Sequence, residues 1–98
     1  MNWISQDVPV NSSTWTPVAA PFDCDVLTIR NTGGAVLRYS PDAGATKDQL
    51  EPGAQFSVAL HRHTQFWING GPRFKEGQTA VYLKMASSTS TVKVTFLR

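Results

Sequence analysis

The sequence predicts an all-β chain: a single antiparallel β-sandwich, jelly-roll or immunoglobulin-like, of seven to eight strands with an extended N-terminal arm. Three observations predict it. Apolar residues alternate with polar ones at Phe56-Val58-Leu60, Val81-Leu83-Met85 and Val92-Val94-Phe96, the period of a strand with one buried face. Turn signals separate such segments at Asn31-Thr32-Gly33-Gly34, Leu50-Glu51-Pro52-Gly53 and Asn69-Gly70-Gly71-Pro72. No stretch offers the 3.6-residue period of an amphipathic helix. The 98 residues make one domain with a single modest core.

Residues 1–14 are polar, hold Pro9, and carry Trp3, Ile4, Val8 and Val10 as scattered apolar points. They predict an extended arm, or a first edge strand, that needs another surface to lie on; a frayed terminus is the alternative. The sandwich then takes residues 15–98. Residues 14–20 form a strand interrupted by Pro17, hence an edge, because proline cannot donate to a ladder. Residues 25–31 are rich in β-formers. Gly33 and Gly34 predict a tight hairpin returning the chain as residues 35–40. Pro41-Asp42-Ala43-Gly44 opens a polar loop reaching about Gln49, and Pro52-Gly53 occupies the centre of a type II turn. Residues 55–63 turn Gln55, Ser57, Ala59, His61 and His63 outward. Phe66-Trp67-Ile68 is a short strand, residues 80–85 turn Tyr82 and Lys84 outward, and residues 87–91 are a hairpin loop.

Charged residues are only 16% of the chain, against about 25% in an ordinary domain, so part of the surface is expected to be covered. Nine Lys+Arg against seven Asp+Glu are too scattered to form a phosphate-binding face, and no nucleic-acid partner is expected. No apolar run approaches the ~18–20 residues of a membrane helix, so no membrane partner is expected either. One cysteine, Cys24, fits folding in a reducing cytosol, and residues 1–7 show no signal-peptide pattern.

His61-Arg62-His63 is the one metal-like spacing. Two imidazoles at i and i+2 share a strand face, but a third ligand is needed and the chain has no other histidine. Asp23 and Asp25 flank Cys24 at strand spacing without the loops that shape a hydrolase cleft. Cys24 shows no sign of a base beside it, and Asp42, Asp48 and Glu51 fit no calcium loop. No catalytic residue, metal or cofactor is therefore expected. What remains is apolar material on outward positions: Trp3 in the arm, Trp67 opposite Phe66 and Ile68, Tyr82 opposite Val81 and Leu83, and Leu97 turned away from Val94 and Phe96. Aromatics so placed anchor interfaces or stack on sugars.

The stretch Leu27-Thr28-Ile29-Arg30-Asn31-Thr32-Gly33-Gly34-Ala35-Val36-Leu37-Arg38-Tyr39-Ser40, followed by Asp42 and by Leu50-Glu51-Pro52-Gly53, resembles small β-sandwich virion proteins of tailed bacteriophages. The resemblance covers roughly residues 22–97 and omits the arm. It implies a non-enzymatic capsid decoration (cement) protein on the capsid exterior. Its partners would be the major capsid protein or other virion subunits, and it would be a homo-oligomer, a trimer for preference. The contact candidates are Trp3, Ile4, Val8, Val10, Trp67, Tyr82 and Leu97. A tail, neck or fibre component is the alternative within structural proteins. A carbohydrate-binding module using Trp67 and the His61/His63 face is the alternative from another class.

Overall fold

The computed structural model describes residues 3–44, 47–59 and 74–98. Among them run eight strands: β1 (Trp3–Val10), β2 (Thr16–Ala19), β3 (Val26–Arg30), β4 (Leu37–Ser40), β5 (Asp48–Leu50), β6 (Gln55–Ala59), β7 (Thr79–Met85) and β8 (Ser90–Leu97). They make two antiparallel four-stranded sheets packed together as a β-sandwich, the first in the order β1-β8-β3-β6 and the second in the order β2-β7-β4-β5. Of the consecutive strands among the described residues only β4 and β5 share a sheet; every other step between them passes from one sheet to the other.

The period of two read in the sequence builds the core. Leu27, Ile29, Leu37, Val81, Leu83, Met85, Val92, Val94 and Phe96 are fully buried between the sheets, each worth about 1.5–3 kcal/mol relative to exposure. Tyr39 of the second sheet stacks on Phe56 of the first, with ring centroids 4.8 Å apart and planes at 28°.

The tight hairpin expected at Gly33-Gly34 is overturned. β3 pairs with β6 and β8, while β4 pairs with β5 and β7, so residues 31–36 carry the chain across the sandwich. The fully buried Asn31 side chain organises that step. Its amide donates to the carbonyls of Ala35 (2.8 Å) and Leu50 (3.0 Å), and its Oδ1 accepts from Gly33 N (3.1 Å). Its backbone N–H donates to Ala54 O (3.0 Å) and its carbonyl accepts from Gly53 N (2.8 Å). One residue thus ties the β3-to-β4 step to the β5-to-β6 step. Gly33 is needed for close approach, not for a positive φ: a Cβ there would stand 2.8 Å from Ser90 Cβ.

The second turn matches its expectation. Ala54 N donates to Glu51 O at 2.9 Å, and Gly53 has φ +83°, as a type II turn requires. β2 is an end strand of its sheet with Pro17 exposed, in line with the edge reading. β5 was hidden in the expected polar loop, three residues held by Leu37 opposite Leu50.

Residues 3–10 form an edge strand, the reading given for the N-terminal segment beside an arm and a frayed terminus. They pair with β8 along their whole length, from Trp3 opposite Leu97 to Val10 opposite Ser90. Asn11 Oδ1 then accepts from Ser13 N and Thr14 N, both at 2.9 Å, and turns the chain toward β2.

Candidate functional site

The expected contact residues do not form one site. Trp3 is 64% exposed and Ile4 41%. Val8 is half-buried against the core. Val10 is fully buried and is corrected from contact candidate to core residue, because its place opposite Ser90 turns it inward at the end of the β1 ladder. Trp67, with His61 and His63, lies outside the described residues. Tyr82 and Leu97 are half-buried and sit on different sheets.

Register sorts the outer face of the first sheet into rows, since cross-strand partners share a face. At one end Trp3 stands opposite Leu97, and Leu97 opposite Val26, an apolar row across β1, β8 and β3. The next row is all hydroxyl: Ser5, Thr95, Thr28 and Ser57, bonded in pairs as Ser5–Thr95 (2.8 Å) and Thr28–Ser57 (2.9 Å). The third row is Asp7–Lys93–Arg30–Gln55, in which Lys93 Nζ lies 3.7 Å from the Asp7 carboxylate.

The outer face of the second sheet has a related row. Arg38 of β4 stands opposite Lys84 of β7 on one side and Gln49 of β5 on the other. Thr16 pairs with Leu83, which brings the preceding Trp15 level with Lys84, and Lys84 Nζ lies 5.8 Å from the Trp15 ring centroid. An attraction of ~0.5–1 kcal/mol or somewhat more is typical of such a half-buried surface cation–π pair. Gly44 packs against the indole, where a Cβ would stand 2.7 Å from Nε1. The 41–44 segment is folded over the sheet by the fully buried Ser40, whose hydroxyl accepts from Asp42 N (3.1 Å) and Gly44 N (2.8 Å) and donates to the Asp42 carboxylate (2.8 Å). An open groove of about 430 Å³ lies alongside, lined by Arg38, Lys47, Asp48 and Gln49. Beneath it, burial first and then the charge of Asp48 and a hydrogen bond to it push the Tyr39 hydroxyl up to about 12.

The other constellations have local roles. Asp23 accepts from Glu76 N (2.9 Å) and lies 3.9 Å from Lys75 Nζ, tying the Cys24 region to the segment before β7. Cys24 is fully buried and exchanges backbone hydrogen bonds with Phe74 at 2.9 and 3.0 Å. Among the described residues no three His, Cys, Asp or Glu side chains converge on a common point. Trp15, Arg38, Gln49 and Lys84 were not singled out in the sequence as a site, because their meeting depends on pairings between distant strands. Their outward positions in short alternating segments were the available signal.

None of the protein families, curated proteins or solved structures compared with this chain matches it.

Proposed function

We propose that this chain is a structural virion protein, a capsid decoration protein that binds the outer shell of a tailed phage through the apolar row of its first sheet. The observation that carries the reading is the corner built across three strands by Trp3 of the eight-residue end strand β1, Leu97 of β8 and Val26 of β3. A 64% exposed tryptophan costs hydration free energy in a lone sandwich and is the type of anchor that interfaces bury. A long end strand also leaves a row of backbone N–H and C=O groups that invites a partner. The resemblance to phage virion proteins points the same way, and it favours a trimer held to the shell by many repeated weak contacts.

The strand order supports a jelly roll over an immunoglobulin-like sandwich. Immunoglobulin topology keeps several consecutive strand pairs in one sheet, whereas here one such pair does so. Jelly rolls serve in viral capsids and in lectins, so the carbohydrate-binding reading is the one to test against.

Shells assembled from the major capsid protein encoded with this chain provide the test. The wild type is expected to co-sediment with them saturably, and Trp3→Asp with Leu97→Asp to lower occupancy at least tenfold while the protein stays folded. Saturable glycan binding that is lost in Trp67→Ala, without co-sedimentation, would replace this reading with the lectin one.

A further inference from the structure

We propose that the outer face of the second sheet holds an oxyanion-binding groove, in which Arg38, Lys47 and Gln49 of its lining, with Lys84 beside Arg38 at its margin, take a phosphate, sulfate or carboxylate group. The inference concerns the face opposite the apolar row and does not depend on what that row docks against.

It begins from two rows with one pattern. The first sheet presents Asp7–Lys93–Arg30–Gln55 and the second Trp15–Lys84–Arg38–Gln49. Each places a lysine directly opposite an arginine, an arrangement that like-charge repulsion disfavours. In the first sheet a carboxylate answers it, 3.7 Å from Lys93 Nζ. In the second sheet the corresponding place holds an indole, which attracts Lys84 through its ring face but brings no negative charge. Gln49 at the other end adds an amide rather than an acid.

Among the described residues Asp48 is the acid that lines the groove; its carboxylate accepts from the Tyr39 hydroxyl and, at 2.8 Å, from Gln49 N. Asp48 keeps its negative charge while it accepts these bonds, so the cations Arg38 and Lys47 of the lining, with Lys84 next to Arg38 in the row, exceed it by two charges beside an open groove of about 430 Å³ that the Gln49 amide also lines. A guanidinium fork grips two oxygens of one oxyanion, an ammonium adds a point charge, and a neighbouring amide N–H completes the donors. Lys47 at the groove wall adds a further cation.

The test is an amide NMR titration of the intact chain with sodium sulfate and, separately, sodium glucuronate, with sodium chloride holding ionic strength constant. Saturable shifts are expected at Arg38, Gln49, Lys84 and the Trp15 indole N–H. Arg38→Gln and Lys84→Gln should each weaken binding at least tenfold, and Arg30→Gln in the first sheet should leave it unchanged. A tighter response to sulfate assigns a phosphate- or sulfate-type ligand; a tighter response to glucuronate assigns a carboxylate. Shifts that never saturate, shifts equal at Arg30 and Lys93, or unchanged affinity in both Arg38→Gln and Lys84→Gln would overturn the proposal.

Discussion

On the first sheet the row Asp7–Lys93–Arg30–Gln55 carries its own counter-charge, and the ladder beside it pairs its hydroxyls with one another. On the second sheet the row Trp15–Lys84–Arg38–Gln49 has an aromatic ring where the carboxylate stood. The first face bonds its hydroxyls in pairs and Lys93 to Asp7, and it exposes an apolar end where Trp3 stands opposite Leu97. The second is covered in part by the 41–44 segment and keeps an excess of cations over the single Asp48 carboxylate beside a groove. One exchange at the end of a row, an acid for an indole, separates a face suited to a dry contact from a face suited to an anion.

The largest expected effect falls on both faces at once. Asn31→Ala removes three side-chain hydrogen bonds at a fully buried position. Leaving such groups unpaired costs about 1–3 kcal/mol each, so urea unfolding should show a loss of about 3 kcal/mol or more. A loss below about 1 kcal/mol would mean that the two crossings do not depend on this residue.

Alkaline pH should act through the second sheet. The Tyr39 hydroxyl ionises near 10 in the unfolded chain and near 12 in the fold. Its stabilising contribution is therefore fully present below pH 10 and is lost as pH rises through 12. The loss is on the order of 2 kcal/mol, and denaturation curves of Tyr39→Phe should lack it.

Gly44→Ala pushes a methyl group into the Trp15 indole and should cost about 1–3 kcal/mol while moving the indole away from Lys84. Near-ultraviolet circular dichroism would register the altered ring environment, and the first sheet's amide shifts should stay put. The smallest effect on stability belongs to Asp7→Asn, which removes an exposed ion pair worth about 0–1 kcal/mol. Thermal melts should shift by no more than a few degrees.

The period of two located nearly every described strand, because burying one sheet face forces alternation that single residues reveal. Val81, Leu83 and Met85, and likewise Val92, Val94 and Phe96, lie inward as their spacing indicates. The sheet to which each strand belongs was not legible. Gly33-Gly34 resembles a hairpin turn locally, but the deciding contacts are those of Asn31 with Ala35, Leu50 and Ala54, which are visible only once the chain has folded. β5 escaped notice because three residues with one buried side chain, Leu50, give too little periodicity. Trp3 could be picked out because an indole in a polar segment is conspicuous by itself. The Trp15–Lys84–Arg38–Gln49 row could not be, since it joins three strands and the residue before β2 from three distant parts of the chain and exists only through register.

The contrast between the faces is tested most directly by exchanging their counter-charges. Sulfate titrations followed by amide NMR would compare Asp7→Asn, which strips the acid from the first row, with Gln49→Glu, which supplies one to the second. The account predicts new saturable shifts around Lys93 and Arg30 in Asp7→Asn, and their loss around Arg38 and Lys84 in Gln49→Glu. Titration curves that match the wild type in both variants would contradict it.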